Sequence, residues 1–155
     1  MKKIVFIMTV ASMLSASAFA DTKQANMQVS LTVLKSCSLS ANDLNFGSHM
    51  SSEGALEETS TASIVCTKNT PYQLSATSAN SFNMKQKNGS DEVAYTLSAT
   101  TSTGKQTLST GNTFASGVGT GDVEQVQMTG NVASGALQAA SAGTYTDTVV
   151  LSVSY

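Results

Sequence analysis

The stretch that decides the fold is Ala25-Asn26-Met27-Gln28-Val29-Ser30-Leu31-Thr32-Val33, in which every second residue is apolar and those between are polar. Successive side chains of a β-strand point to opposite faces, so this period of two describes a strand with one apolar and one wet face. The same pattern returns at the other end of the chain. In Val149-Val150-Leu151-Ser152-Val153-Ser154-Tyr155, the residues Val149, Leu151, Val153 and Tyr155 alternate. Each segment has two readings at this level. Residues 25–33 are either the first strand of their own fold or a strand offered to a partner. The last segment is a central core strand or one that lines an apolar groove.

Between these ends the chain supplies more strand signals at short spacing. Ala62–Cys66 and Tyr72–Ala76 read as strands, with Pro71 at a turn or strand start because it has no N–H to give a ladder. Residues 81–87 and 93–100 flank Asn88-Gly89, a hairpin-turn signal. Another strand spans Val123–Val132, whereas residues 48–58 and 101–122 read as loops. No stretch after residue 20 carries a helical period of useful length. Several short strands with frequent turns predict an all-β sandwich or barrel.

The first twenty residues have a different character. Lys2 and Lys3 precede the apolar run Ile4–Ala11, and small residues lead to Ala18-Phe19-Ala20. Positive charge, a short apolar core and small residues before a cut define a secretory signal. That core is far shorter than the roughly 20 residues needed to span a bilayer. Cleavage between Ala20 and Asp21 is expected, leaving residues 21–155 as the exported protein. Without Lys2 and Lys3 the exported part has six lysines and no arginine against ten acids, a net charge of −4. With no basic patch to hold phosphates, nucleic acid is excluded as a partner. In an exported chain, the two cysteines, Cys37 and Cys66, are expected to form a disulfide.

Catalytic chemistry finds little to work with. His49 is the only histidine and lies in a polar stretch, so a solvated loop residue is expected. Glu57 and Glu58 are adjacent and would point to opposite sides of a strand, which does not aim two carboxylates at one substrate. Gly117-Val118-Gly119-Thr120-Gly121 lacks the Lys-Ser/Thr that a phosphate loop needs and opens no helix. No enzyme activity, cofactor or metal site is expected.

One family resemblance covers the exported chain in order. The alternating strand before the first cysteine (Met27 to Cys37), Leu44-Asn45-Phe46-Gly47, Ile64-Val65-Cys66-Thr67 with Pro71-Tyr72, Ala94-Tyr95-Thr96-Leu97 and Ala142–Thr148 resemble the spore coat U domain of archaic chaperone–usher pilus subunits. The resemblance implies an incomplete immunoglobulin-like β-sandwich that lacks its last strand, with residues 21–34 as an N-terminal donor-strand extension and 35–155 as the pilin domain. It implies a periplasmic chaperone, an outer-membrane usher and neighbouring copies of the chain as partners. The product would be a fimbria on the surface of a two-membrane bacterium, supporting adhesion and biofilm formation. Ala25, Met27, Val29, Leu31 and Val33 would then enter the groove of a neighbour, with the boundary between donor and body somewhere from Val33 to Ser36. Val149, Leu151 and Val153 would line the chain's own groove, and the Tyr155 carboxylate would face a basic residue of the chaperone. Two other readings stand beside this one: a secreted coat or stress-protection protein, and a single-domain surface-binding adhesin.

Overall fold

The computed structural model describes residues 21–102 and 104–155; the expected signal and Ala20 lie outside the described residues. The backbone divides into two units, one ending at Thr32 and one running from Val33 to Tyr155. In the first, residues 21–32 form no strand and are exposed throughout. The second unit carries all eleven strands and no helix among the described residues.

Five strands make the larger sheet. They are β1 (Cys37–Ala41), β2 (Leu56–Cys66), β6 (Thr96–Thr101), β7 (Gly104–Thr107) and β9 (Glu124–Val132), ordered β1-β2-β9-β6-β7. Three more, β3 (Pro71–Ser78), β8 (Thr113–Val118) and β11 (Val149–Ser154), are ordered β11-β3-β8. A small third sheet joins β4 (Asn83–Gln86), β5 (Glu92–Ala94) and β10 (Tyr145–Thr146) in the order β10-β4-β5. All pairings are antiparallel.

The inward residues of the two main sheets form one core. Ala62 and Ile64 of β2, Leu74 and Ala76 of β3, Leu97 and Ala99 of β6, Phe114 of β8, and Val126 and Met128 of β9 are buried together. Burying a side chain the size of Ile64 or Leu74 contributes about 1.5–3 kcal/mol. Alternation sends most intervening polar residues outward, with Ser98 of β6 and Thr129 of β9 buried as exceptions, and the two antiparallel sheets packed over one core make an immunoglobulin-like sandwich. Across the core, Tyr72 of β3 donates to Glu124 of β9 at 2.8 Å. Burial first, and the Glu124 carboxylate second, push that phenol up to about 12.

Cys37 and Cys66 face each other in register in β1 and β2 and are joined, with Cα atoms 4.1 Å apart. The bridge staples an edge strand to its neighbour. Cys37, Cys66, Pro71, Val118 and Ser154 therefore mark one end of the body, and Ala41, Leu56, Ser78 and Val149 the other.

Several sequence expectations need correction. Residues 93–100 are two strands in different sheets, broken at Tyr95, whose N–H donates to the Phe82 carbonyl instead of a ladder. Residues 56–58, expected in a loop, begin β2, because pairing with β9 outweighs the poor strand propensity of two exposed glutamates. Residues 101–122 contain β7 and β8; β7 is exposed throughout and β8 buries only Phe114, so neither leaves a periodic signal. The C-terminal strand is an edge strand, not a central one.

Candidate functional site

The open side of the body lies along β11. Its pairing to β3 runs from Val149↔Ser78 to Ser154↔Gln73, and its other edge has no strand partner among the described residues. Val149, Leu151 and Val153 are half-buried and pack against the core, whereas Val150, Ser152 and Ser154 face outward. Tyr155, just past the strand, is exposed. A strand edge of this kind presents a row of unpaired N–H and C=O groups, a template for another strand.

Beneath the first half of β11 a cleft of about 1140 Å³ opens between the main sheets. Leu56, Leu97, Met128 and Val132 line it from the larger sheet, Val149 and Leu151 from the smaller one. The segment from Ala41 to Ser51 borders it. Leu44 and Phe46 can lie over β9 only because residue 130 is glycine: a Cβ there would stand 2.9 Å from Phe46 and 3.0 Å from Leu44. The chain turns back at Gly47, whose φ of 86° suits glycine and whose N–H donates to Asn45 Oδ1 at 2.9 Å. Phe46 and Phe82 both meet the Tyr95 ring edge-on, at centroid distances of 6.4 and 5.7 Å.

One carboxylate organises the end of this cleft. Asp147 Oδ2 accepts from Ser78 Oγ (2.6 Å) and Tyr95 Oη (2.7 Å). Its Oδ1 accepts from Thr148 N (2.8 Å), Asn80 Nδ2 (3.0 Å) and Asn80 N (3.2 Å). Burial acts to raise its pKa, but these hydrogen bonds outweigh it and hold the carboxyl below its usual value. The Tyr95 phenol is pushed well up, by burial first and by its bond to Asp147 second. Asp147 thus ties the turn after β3, the break at Tyr95 and the start of β11. The same turn holds Phe82 at a φ of 61°, a costly conformation for a bulky residue, against a 2.6 Å bond from its N–H to Ser78 Oγ. Asp147 is not among the site residues that the sequence pattern marks. Its signal was an acid standing alone in a Thr/Tyr/Val stretch.

His49 is better held than a free loop residue. Its Nδ1 bonds Glu53 Oε2 at 2.6 Å and its Nε2 meets the Phe46 carbonyl. The bond to Glu53, then that to Phe46, raises its basicity. Among the described residues no group of three or more His, Cys, Asp or Glu side chains is placed to hold a metal ion. The expected joining residues stand apart from any ladder: Met27, Val29, Leu31 and Val33 expose between 72 % and 88 % of their surface, and Ala25 is exposed too. Asp21 is exposed and pairs with Lys23, at 3.0 Å.

The open-edged sandwich with a single staple between its first two strands is matched by a known family over residues 23–152, that of the Spore Coat Protein U domain. The chain belongs to this family. Among solved structures, this spore coat U chain is similar to the CsuC–CsuE chaperone–tip adhesion subunit pre-assembly complex from the archaic chaperone-usher Csu pili of Acinetobacter baumannii. The match has a TM-score of 0.57 and 25 % identity, and covers 80 % of this chain and 41 % of that one. A chaperone–tip adhesin complex of CFA/I fimbriae biogenesis shares the fold at a TM-score of 0.50 and 16 % identity, covering 72 % and 38 %. The chain thus spans about two-fifths of the length of these structures. No curated protein matches it.

Proposed function

We propose that this protein is a structural subunit of a surface fimbria, assembled by donor-strand exchange in the chaperone–usher pathway. The observation that carries the reading is the unpaired edge of β11 above a cleft into which Leu56, Leu97, Met128, Val132, Val149 and Leu151 project, in a chain whose residues 25–33 alternate and are exposed. The edge needs a strand and the segment needs an edge. An extended segment adding to a sheet forms main-chain hydrogen bonds while alternate side chains enter pockets. Burial of Met27, Val29, Leu31 and Val33 at about 1.5–3 kcal/mol each gives a gross stabilisation of about 6–12 kcal/mol. A head-to-tail contact that does not close on itself builds a filament.

Before assembly the same edge is an aggregation hazard, so a periplasmic chaperone supplies a strand and an outer-membrane usher directs the exchange. The similarity to complexes that contain a chaperone supports that partner. Residues 1–20 direct export and are then removed, and the fibre at the surface serves adhesion and biofilm formation. The subunit has no catalytic role, and no cofactor enters this account.

Deleting residues 21–33 tests the reading. The truncated subunit should bind its chaperone and accept a neighbour's segment, yet fail to donate to the next copy. Ordinary fibres built from it alone would refute donor-strand exchange through this segment.

A further inference from the structure

The body grips the root of the extension at Thr67, through its hydroxyl and its backbone N–H. Thr67, at the turn after β2, accepts the Ser36 N–H on Oγ1 at 3.1 Å and donates its own N–H to the Ser36 carbonyl at 2.8 Å. The hydroxyl also lies 3.4 Å from the Leu34 carbonyl and 3.3 Å from that of Ser36, so its proton serves these two oxygens. One residue further on, Cys37 is fixed by its disulfide. The chain is therefore held from Leu34 onward, directly after Val33, the last residue of the alternating set.

That leaves no free linker. A strand advances only about 3.3 Å per residue, so a copy that seats Val33 in its groove must stand against the end of the body that holds Leu34. This end carries large apolar residues in the open. Leu34 is 77 % exposed, Val118 55 % and Val123 62 %. The latter two flank the Gly119–Gly121 stretch, which is drawn onto the collar. Gly121 N–H donates to the Cys66 carbonyl at 3.1 Å, and a Cβ on Gly119 would stand 2.6 Å from Cys66 Cβ and the Thr67 carbonyl. Scattered apolar residues are ordinary on a surface, but three at the root of a proposed joining arm lie where a neighbour must come.

We infer that the Thr67 collar and the apolar end formed by Leu34, Val118 and Val123 are a second contact with the next copy of this chain, in which Thr67 is a positioning residue that fixes the angle between successive subunits. The inference rests on the donor-strand reading. The collar restrains direction, whereas the inserted side chains supply attachment, so the two contributions separate experimentally.

The test compares fibres assembled from the full exported chain, wild type, Thr67→Val, Thr67→Ser and Val123→Asp, imaged by electron microscopy with the subunit-to-subunit angle measured. Thr67→Val should still give fibres, with an angular spread broader by roughly twofold, because the loss of a hydroxyl releases the hydrogen bonds that restrain the root. Thr67→Ser, which keeps the hydroxyl, should restore the wild-type spread. Val123→Asp changes an exposed residue, so its folding is not in question, and it should shift the mean angle. Fibres with unchanged angles in both Thr67→Val and Val123→Asp overturn the second contact while leaving donor-strand exchange intact. Absence of fibres from the wild type overturns both.

Discussion

Residues 25–33 and 149–155 carry the same alternating pattern and stand in opposite environments. In β11, Val149, Leu151 and Val153 pack against the core because β3 pairs with one edge of the strand. In the extension, Met27, Val29 and Leu31 meet solvent and no ladder forms. Period-two patterning specifies a face that can be buried; it does not specify the partner that buries it. The two segments are complementary in this respect, one lacking any partner and the other having one edge unfilled.

The sharpest way to break the comparison is Leu31→Asp. It should abolish joining between copies, since a carboxylate would enter an apolar pocket. Stability of the isolated subunit should change by no more than about 0.5 kcal/mol, as for other exposed sites. Denaturant unfolding together with an assembly assay reads both; a subunit destabilised as much as its assembly would show that Leu31 packs in its own body. Replacing Cys37 and Cys66 by Ser affects the body instead. With a sequence separation of 29, chain-entropy reasoning gives a loss of about 3–4 kcal/mol. An unchanged denaturation midpoint would mean that the staple is not structural. Leu151→Ala, the counterpart of Leu31 in the filled pattern, should cost about 2–3 kcal/mol, the lower part of the range for core truncations because the residue is only half-buried.

The smallest expected effect is that of acid on Asp147. Its carboxyl lies below the ordinary value of 3.8 in the fold. The stabilisation is therefore fully present above pH 3.8 and is lost as pH falls through the lower, folded value. Thermal unfolding followed below pH 3.8 should show a loss of stability that Asp147→Asn lessens; equal acid sensitivity in that variant would remove Asp147 from the account.

Much of the body was legible in the sequence because its strands are short apolar-rich runs bounded by turn residues. Ala62–Cys66, Tyr72–Ala76 and Val123–Val132 all lie within or almost within observed strands. The regions that were missed have physical reasons. The exposed strand β7 and the nearly exposed β8 bury too little to leave a period. Residues 93–100 look continuous, and the switch between sheets at Tyr95 is set by contacts with Phe82 and Asp147 that are distant in sequence. The disulfide needed only a cysteine pair and an export signal. The cleft needed three dimensions: the strand pattern holds no sign that Leu44 and Phe46 lie against Gly130.

Hydrogen exchange on the full exported chain, before and after assembly, tests the central claim most directly. Donor-strand exchange predicts that amides of residues 25–33 and the outward-facing amides of Val149–Ser154 pass together from fast to slow exchange when copies join. Protection of β11 with residues 25–33 still exchanging freely, or protection of neither in assembled fibres, would contradict it.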